Sequence, residues 1–315
     1  MLGRWNPLTR LFGNWIRRVP LHRRLRAARV LGVVKWSIAL LLAAFVAWQE
    51  FGNGSPTPLR METTSREAAD AAAIAAEIKS TWNIEVRYGP DTSNFILNTD
   101  RVPPTWHLDP VAAPDLLPGL RAIKTALSVY PISYVSAVRD DASVVFLMRS
   151  ILVGGQSFGG MYFGGAIYVP ARDMEKASRV DFAADTFHHE FSLTGLSRGP
   201  SPQAAWRAVN PPGFVYRGDR DLAIVRDIER RADGGDQTDD VRDAGFIIRY
   251  AQSSMTEDWQ TYAEQAFGHP AELVDLVTRF PRIKAKTKIF IDHYGVLDPG
   301  FGAYFDRTGL RDAVK

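Results

Sequence analysis

The chain has 315 residues, 46% of them hydrophobic, no cysteine and a formal charge of +3. That is enough apolar side chain for one large domain or two small ones, and it excludes a disulfide-built scaffold. The positive charge does not point to nucleic acid: residues 1–35 hold nine basic residues and no acid, which leaves 29 basic against 35 acidic residues in the remainder. An acidic body repels phosphate, so no nucleic-acid partner is expected.

Residues 1–29 read as a short basic tail, followed by a nearly continuous apolar stretch, VLGVVKWSIALLLAAFVAWQEF, at residues 30–51. Val30 to Trp48 is long enough to cross a hydrocarbon core at 1.5 Å per residue, with Lys35 near the basic end where it can snorkel to headgroups. Trp36 and Trp48 fall towards the two interfaces, and the preceding positive charge holds the tail in the cytoplasm. The pattern therefore predicts a single-pass anchor in the inner membrane, with the body on the extracytoplasmic (periplasmic) side. A cleaved signal peptide is the alternative, but the one small-residue cleavage site ends at Ala47 and has bulky Phe45 two positions before it.

Residues 52–64 form a linker that opens with the Gly/Pro/Ser run GNGSPTPLR. An alanine-rich helix is expected from Ser65, with acidic Glu67 and Asp70 in its first turns. The alternation of Ile84, Val86 and Tyr88 predicts a strand, and Leu116, Leu120, Ile123, Leu127 and Tyr130 recur at helical spacing up to Pro131. Residues 143–153 and 165–170 read as strands joined by a glycine-rich loop, and residues 180–194 as a helix. The region 199–245 is rich in Pro, Gly and Asp, with a short helix near 220–231. Three helices punctuated by Pro270 and Pro281 close the chain. One α+β body over residues 65–315 accounts for this order.

The segment DTFHHEFSLTGL, residues 185–196, carries the first chemical signal. In HExxH, two histidines four residues apart reach one zinc from a single helix face, and the glutamate between them activates the bound water. Here His189 and Glu190 supply the first half, but Leu193 stands where the second histidine belongs and cannot coordinate. His188 does not restore the pattern, because Ser192 follows it by four. Asp185, four residues before His189 on the same face, can replace the missing ligand or orient the ring of His189. His188, Glu264, His269 and His293 are further candidates among which the spacing does not choose. Taken singly, His189 and Glu190 are better read as structural.

The order of segments from about 115 to 300 resembles a family of candidate zinc-binding metallopeptidases of the gluzincin type, related to the catalytic domain of anthrax lethal factor. The resemblance runs through ALSVYPISYV, VVFLMRSILVGG, GGAIYVP and FHHEF. It continues through NPPGFVY (210–216), AGFIIRYAQSSMTEDWQTYAEQAF (244–267) and the basic helix RIKAKTKIFIDHYG. It implies a zincin-like α+β domain, with a mixed sheet, an active-site helix and C-terminal helices behind the anchor. It also implies zinc as cofactor, with His189 and Glu257 as ligands, Glu190 as general base and Tyr250 as the hydroxyl that stabilises the oxyanion. Without the resemblance, Tyr250 is a half-buried aromatic beside Phe246 and Ile247. Glu257 is then a favourable first-turn charge behind an N-cap at Thr256.

Two further motifs compete. GGQSFGG (154–160) holds G-x-S-x-G around Ser157, the pattern of a nucleophile elbow, which requires a strand before the serine and a helix after it. A helix is not expected there. RADGGDQTDDVRD (231–243) lacks the spacing of a calcium loop and reads as a solvated loop. The functional expectations are thus a membrane-anchored zinc peptidase acting on a peptide or protein, a pseudopeptidase that binds such a partner without cutting it, and, third, a serine hydrolase using Ser157.

Overall fold

The computed structural model describes residues 65–88, 106–153, 156–217 and 237–315. The basic tail, the anchor segment 30–51, the linker 52–64 and the helix expected near 220–231 lie outside them. No helix among the described residues is long and apolar enough to cross a membrane.

Strand β3 (Val144–Val153) organises the sheet, which is mixed. Its first half pairs in parallel with β1 (Glu85–Arg87) on one edge and with β6 (Ala166–Pro170) on the other. Its second half pairs antiparallel with β2 (Trp106–Pro110) and β4 (Gln156–Phe158). Strand β5 (Met161–Phe163) pairs antiparallel with β6 and ends the sheet on that side. The run VVFLM at the start of β3 is apolar without alternation because both faces are covered. Val145 and Leu147 enter the main core, while Val144, Phe146 and Met148 enter a second cluster with Leu108, Ile151 and Tyr168. The glycine-rich loop expected after residue 153 is therefore structured: β4 and β5 stand at its two ends.

Helix α1 (Ser65–Trp82) starts where the sequence places it, and α2 (Ala113–Leu127) lays Leu116, Leu120, Ile123 and Leu127 into the main core. A short helix, α3 (Ile132–Val138), follows Pro131. The long helix α4 (Ala177–Leu196) packs against α2 and β6 and buries Ala183, Phe187 and Phe191, one face at i, i+4, i+8. After α5 (Gln203–Ala208) and α6 (Asp239–Asp243), a 3-10 turn, Arg249–Ser253, leads into α7 (Met255–Ala263). The cap of α7 is Ser254, which accepts a 3.0 Å bond from the Glu257 N–H, two residues earlier than Thr256. Helix α7 ends in a π-helical turn, Glu264–Gly268. Then come α8 (Pro270–Arg279), α9 (Pro281–Leu297), α10 (Gly300–Arg307) and α11 (Leu310–Ala313).

The orientation of α7 is set by Asp258, which is fully buried. Its Oδ2 accepts bonds from Lys286 Nζ at 2.6 Å, Tyr216 O–H at 2.7 Å and Trp206 Nε1–H at 2.8 Å. The Lys286 ammonium also lies over the rings of Phe246 and Trp206, 4.0 and 5.4 Å from their centroids. With Asp258 turned inward, its neighbour Glu257, about 100° round the helix, lines the cavity described below. A buried pair of this kind is costly to break from one side, because the remaining charge loses its partner in an apolar shell. Lys286→Met should lower unfolding stability by about 3–5 kcal/mol, and adding Asp258→Leu should recover part of that loss. Urea unfolding followed by tryptophan fluorescence checks this; a single variant as stable as the parent would contradict a charged pair here.

Candidate functional site

Two helical faces and the β4–β5 connection border a cavity of about 500 Å³. From α4 come Phe182, Thr186, His189, Glu190 and Leu193, a stripe at i, i+4, i+7, i+8 and i+11. From α7 and the turn after it come Glu257, Gln260 and Glu264, at i, i+3 and i+7. Residues Phe158 to Tyr162, from the end of β4 into β5, form a third side, and Ile248 and Tyr250 a fourth. This connection can sit so close because Gly160 has no side chain. A Cβ there would stand 2.3 Å from Thr186 Cγ2 and 3.1 Å from Glu190 Oε1. Thr186 ties the same turn down, donating to the Gly159 carbonyl at 3.1 Å.

His189 is clamped between two carboxylates. Its Nε2 is 3.1 Å from Glu257 Oε2 and its Nδ1 is 2.5 Å from Glu264 Oε1. Burial alone would lower the imidazole pKa, but these partners hold it well above its ordinary value. Of the two contacts, the one at Nδ1 is a hydrogen bond and the one at Nε2 is a charge contact. Glu190 is buried beside it, with the Gln260 amide 3.5 Å from its Oε2. Burial, reinforced by the negative charges of Glu257 and Glu264 and opposed by His189, raises the Glu190 carboxyl from 4.5 to about 7.

Asp185 and His188 do not line the cavity. The Asp185 carboxylate is held by His269, whose Nε2 lies 2.9 and 3.0 Å from its two oxygens. Gly268 permits that approach, since a Cβ there would be 2.6 Å from Asp185 Oδ1. Burial raises Asp185 to about 6. His188 points into the core, its Nδ1 2.9 Å from the Tyr130 hydroxyl, and burial lowers its pKa to about 3, so the ring is neutral. His293 is likewise engaged elsewhere, with Nε2 3.0 Å from the Gly195 carbonyl. Ser157 sits on β4, and after a short turn another strand follows where a nucleophile elbow requires a helix.

The sequence thus brings His189, Glu190, Tyr250 and Glu257 to one cavity. It leaves Asp185 and His188 outside and underrates Glu264 and Gln260. The signal for those two was present: they continue the helical face of Glu257 at three and seven residues. Zinc does not fit this donor set. Catalytic zinc sites take three protein ligands. Here Glu257 alone meets Nε2 of His189, Glu264 occupies the opposite ring nitrogen, and Leu193 lines the cavity with an apolar side chain. Among the described residues no group of three or more His, Asp or Glu side chains is disposed to hold a metal ion.

No family model and no curated protein matches the chain. Among solved structures it is similar to the crystal structure of a candidate zinc-binding metallo-peptidase from Bacteroides caccae. The two share 17% identity over 79% of this chain and 95% of that chain, with a TM-score of 0.48. A likeness at that distance assigns neither an activity nor a ligand.

Folding binds a proton at Glu190 between its ordinary value of 4.5 and about 7, so the stability this group contributes falls as pH rises through that window. Glu190→Gln removes the effect. The variant should match the parent near pH 4 and exceed it at pH 8 by on the order of 3 kcal/mol in urea unfolding. Equal stabilities at pH 8 would contradict a buried carboxyl at this position.

Proposed function

We propose that the protein is a membrane-tethered binding module: a metallopeptidase-like cleft that accepts an extended peptide segment of a partner and does not use metal to cut it. The observation that carries this reading is the His189 clamp. Both ring nitrogens are committed to carboxylates, and the position four residues on is leucine. The ring nitrogen that would lend a lone pair to a metal lies 3.1 Å from Glu257 Oε2, and Glu264 holds the other.

The walls suit a peptide. Strand β5 ends the sheet, and its Met161 and Tyr162 line the cavity, so a bound segment can extend the sheet along that strand with its side chains reaching the cleft. Phe158, Phe182, Ile248 and Tyr250 add apolar and aromatic surface for side chains. The tether is residues 30–51, and the basic tail before it places the cleft on the extracytoplasmic side.

A second reading, peptide-bond hydrolysis at zinc, is favoured by one observation: Glu190, Tyr250 and Glu257 line the same cavity as His189. A bound ligand from outside the chain would then have to complete the donor set. Metal analysis of the full-length protein separates the two. After exposure to micromolar zinc and gel filtration, the parent should retain well under one zinc per chain. Leu193→His, which supplies the second imidazole on the same helix face, should retain about one. A parent that holds one zinc per chain and loses it on His189→Ala would overturn the binding-module reading in favour of hydrolysis.

A further inference from the structure

The register of β5 decides which of its backbone groups an added strand can reach. Strands β5 and β6 are joined by the two-residue turn Gly164–Gly165, with φ of 61° and 79°, and Phe163 stands opposite Ala166. In a turn of this type the flanking pair exchanges both of its hydrogen bonds, and the pairing alternates from there. Phe163 and Met161 therefore direct their backbone groups to β6. Tyr162, opposite Ile167, is the residue of β5 whose N–H and C=O point away from the sheet.

That N–H is not open. It donates to the carboxylate of Glu190, whose Oε1 lies against the same stretch, 3.1 Å from where a Gly160 Cβ would stand. The strand itself is fixed. The Tyr162 hydroxyl donates to the Asp141 carbonyl at 2.8 Å, and the Asp141 carboxylate accepts from Arg198, just past α4, at 2.6 and 2.9 Å. The far side of the Glu190 carboxylate is held less firmly: the Gln260 amide is 3.5 Å from its Oε2, the outer limit of a hydrogen bond, and the cavity lies beside it. A carboxylate oxygen on an outward N–H stands where the backbone carbonyl of a neighbouring strand would stand, and a charged side chain in that place keeps a sheet edge from pairing freely.

We infer that Glu190 is a built-in cap on the sheet edge: it takes the place of a partner's backbone carbonyl, and an extended segment binds β5 by exchanging with it. This rests on the peptide-groove reading above and adds what covers the edge before the segment arrives. The segment supplies a carbonyl to the Tyr162 N–H and an N–H to the Tyr162 C=O, the two bonds by which a strand residue joins its neighbour, and the displaced carboxylate turns into the cavity.

The test uses the full-length chain in detergent, labelled with nitrogen-15 on tyrosine, with the Tyr162 amide assigned by comparison with Tyr162→Phe. Its exchange with solvent should be slow in the parent and in Glu190→Gln, whose amide oxygen still accepts. It should be on the order of tenfold faster in Glu190→Ala and in Glu190→Leu, which keeps the volume without an acceptor. The same proteins, immobilised and checked for native circular dichroism, are challenged with a pool of acetylated, amidated eight-residue peptides random in uncharged residues. The Ala and Leu variants should retain on the order of tenfold more peptide than the parent, Glu190→Gln about as much as the parent, and the bound pool should slow Tyr162 exchange again in the Ala and Leu variants. Fast exchange of the Tyr162 amide in the parent, which needs no variant, would overturn the cap and leave the groove standing. Equal retention by the parent and the folded Ala and Leu variants would overturn the exchange, because the segment would then bind away from this edge. A gain in Glu190→Gln as large as in the other two would also overturn it, since loss of charge alone would be the cause. Retention of no peptide by any of the proteins above a detergent-only surface would overturn the groove reading itself.

Discussion

The crossing of α4 against the end of α7 depends on two imidazole–carboxylate pairs of opposite sense. Helix α4 contributes Asp185 and His189, one turn apart, and the segment from the π-helical turn contributes His269 and Glu264. Acid meets base at one end of the crossing, and base meets acid at the other. The π turn makes both pairs possible. Its wider winding carries the chain from Glu264 to Gly268, where the missing side chain lets Asp185 come close. Loss of either pair would leave a carboxylate or an imidazolium in a poorly solvated seam, so the crossing has little freedom to slide.

The chemistry of the cleft follows from that crossing. Because Glu264 takes Nδ1 of His189 and Glu257 takes Nε2, the histidine serves as the positive charge at the floor of the cavity. Glu190, one residue on, then faces two further acids across a small volume and holds its proton to about pH 7. The arrangement places a potential acid, a fixed cation and an aromatic wall in one recess beside the terminal strand of the sheet. Leu193 lines that recess at the position from which a second imidazole would act.

Much of the fold was legible in the sequence because its elements bury single faces. The alternation through residues 84–88, the apolar run at the start of β3, the period of α2 and the prolines bounding α8 and α9 all translate directly into structure. The short pieces were not legible. Strands β4 and β5 are three residues each and exist because β3 and β6 template them, a non-local cause that no local pattern records. The cap of α7 was misplaced for a related reason: Ser254 and Thr256 are equivalent by type, and only the extended backbone at Ser254 selects between them. In the site, the helical spacing on α4 correctly grouped His189, Glu190 and Leu193. Asp185 shares that spacing but turns to His269, because the π turn that delivers His269 is invisible in the sequence.

The central claim is that His189 is a doubly protonated ring locked between two carboxylates, and the most direct measurement is the nitrogen NMR of that ring. In full-length protein labelled with nitrogen-15 on histidine, the two ring nitrogens of His189, assigned by comparison with His189→Ala, should both resonate as protonated at neutral pH. Added zinc should leave them unmoved. A bare Nε2, or a zinc-dependent shift confined to that nitrogen, would contradict the account and make His189 a metal ligand.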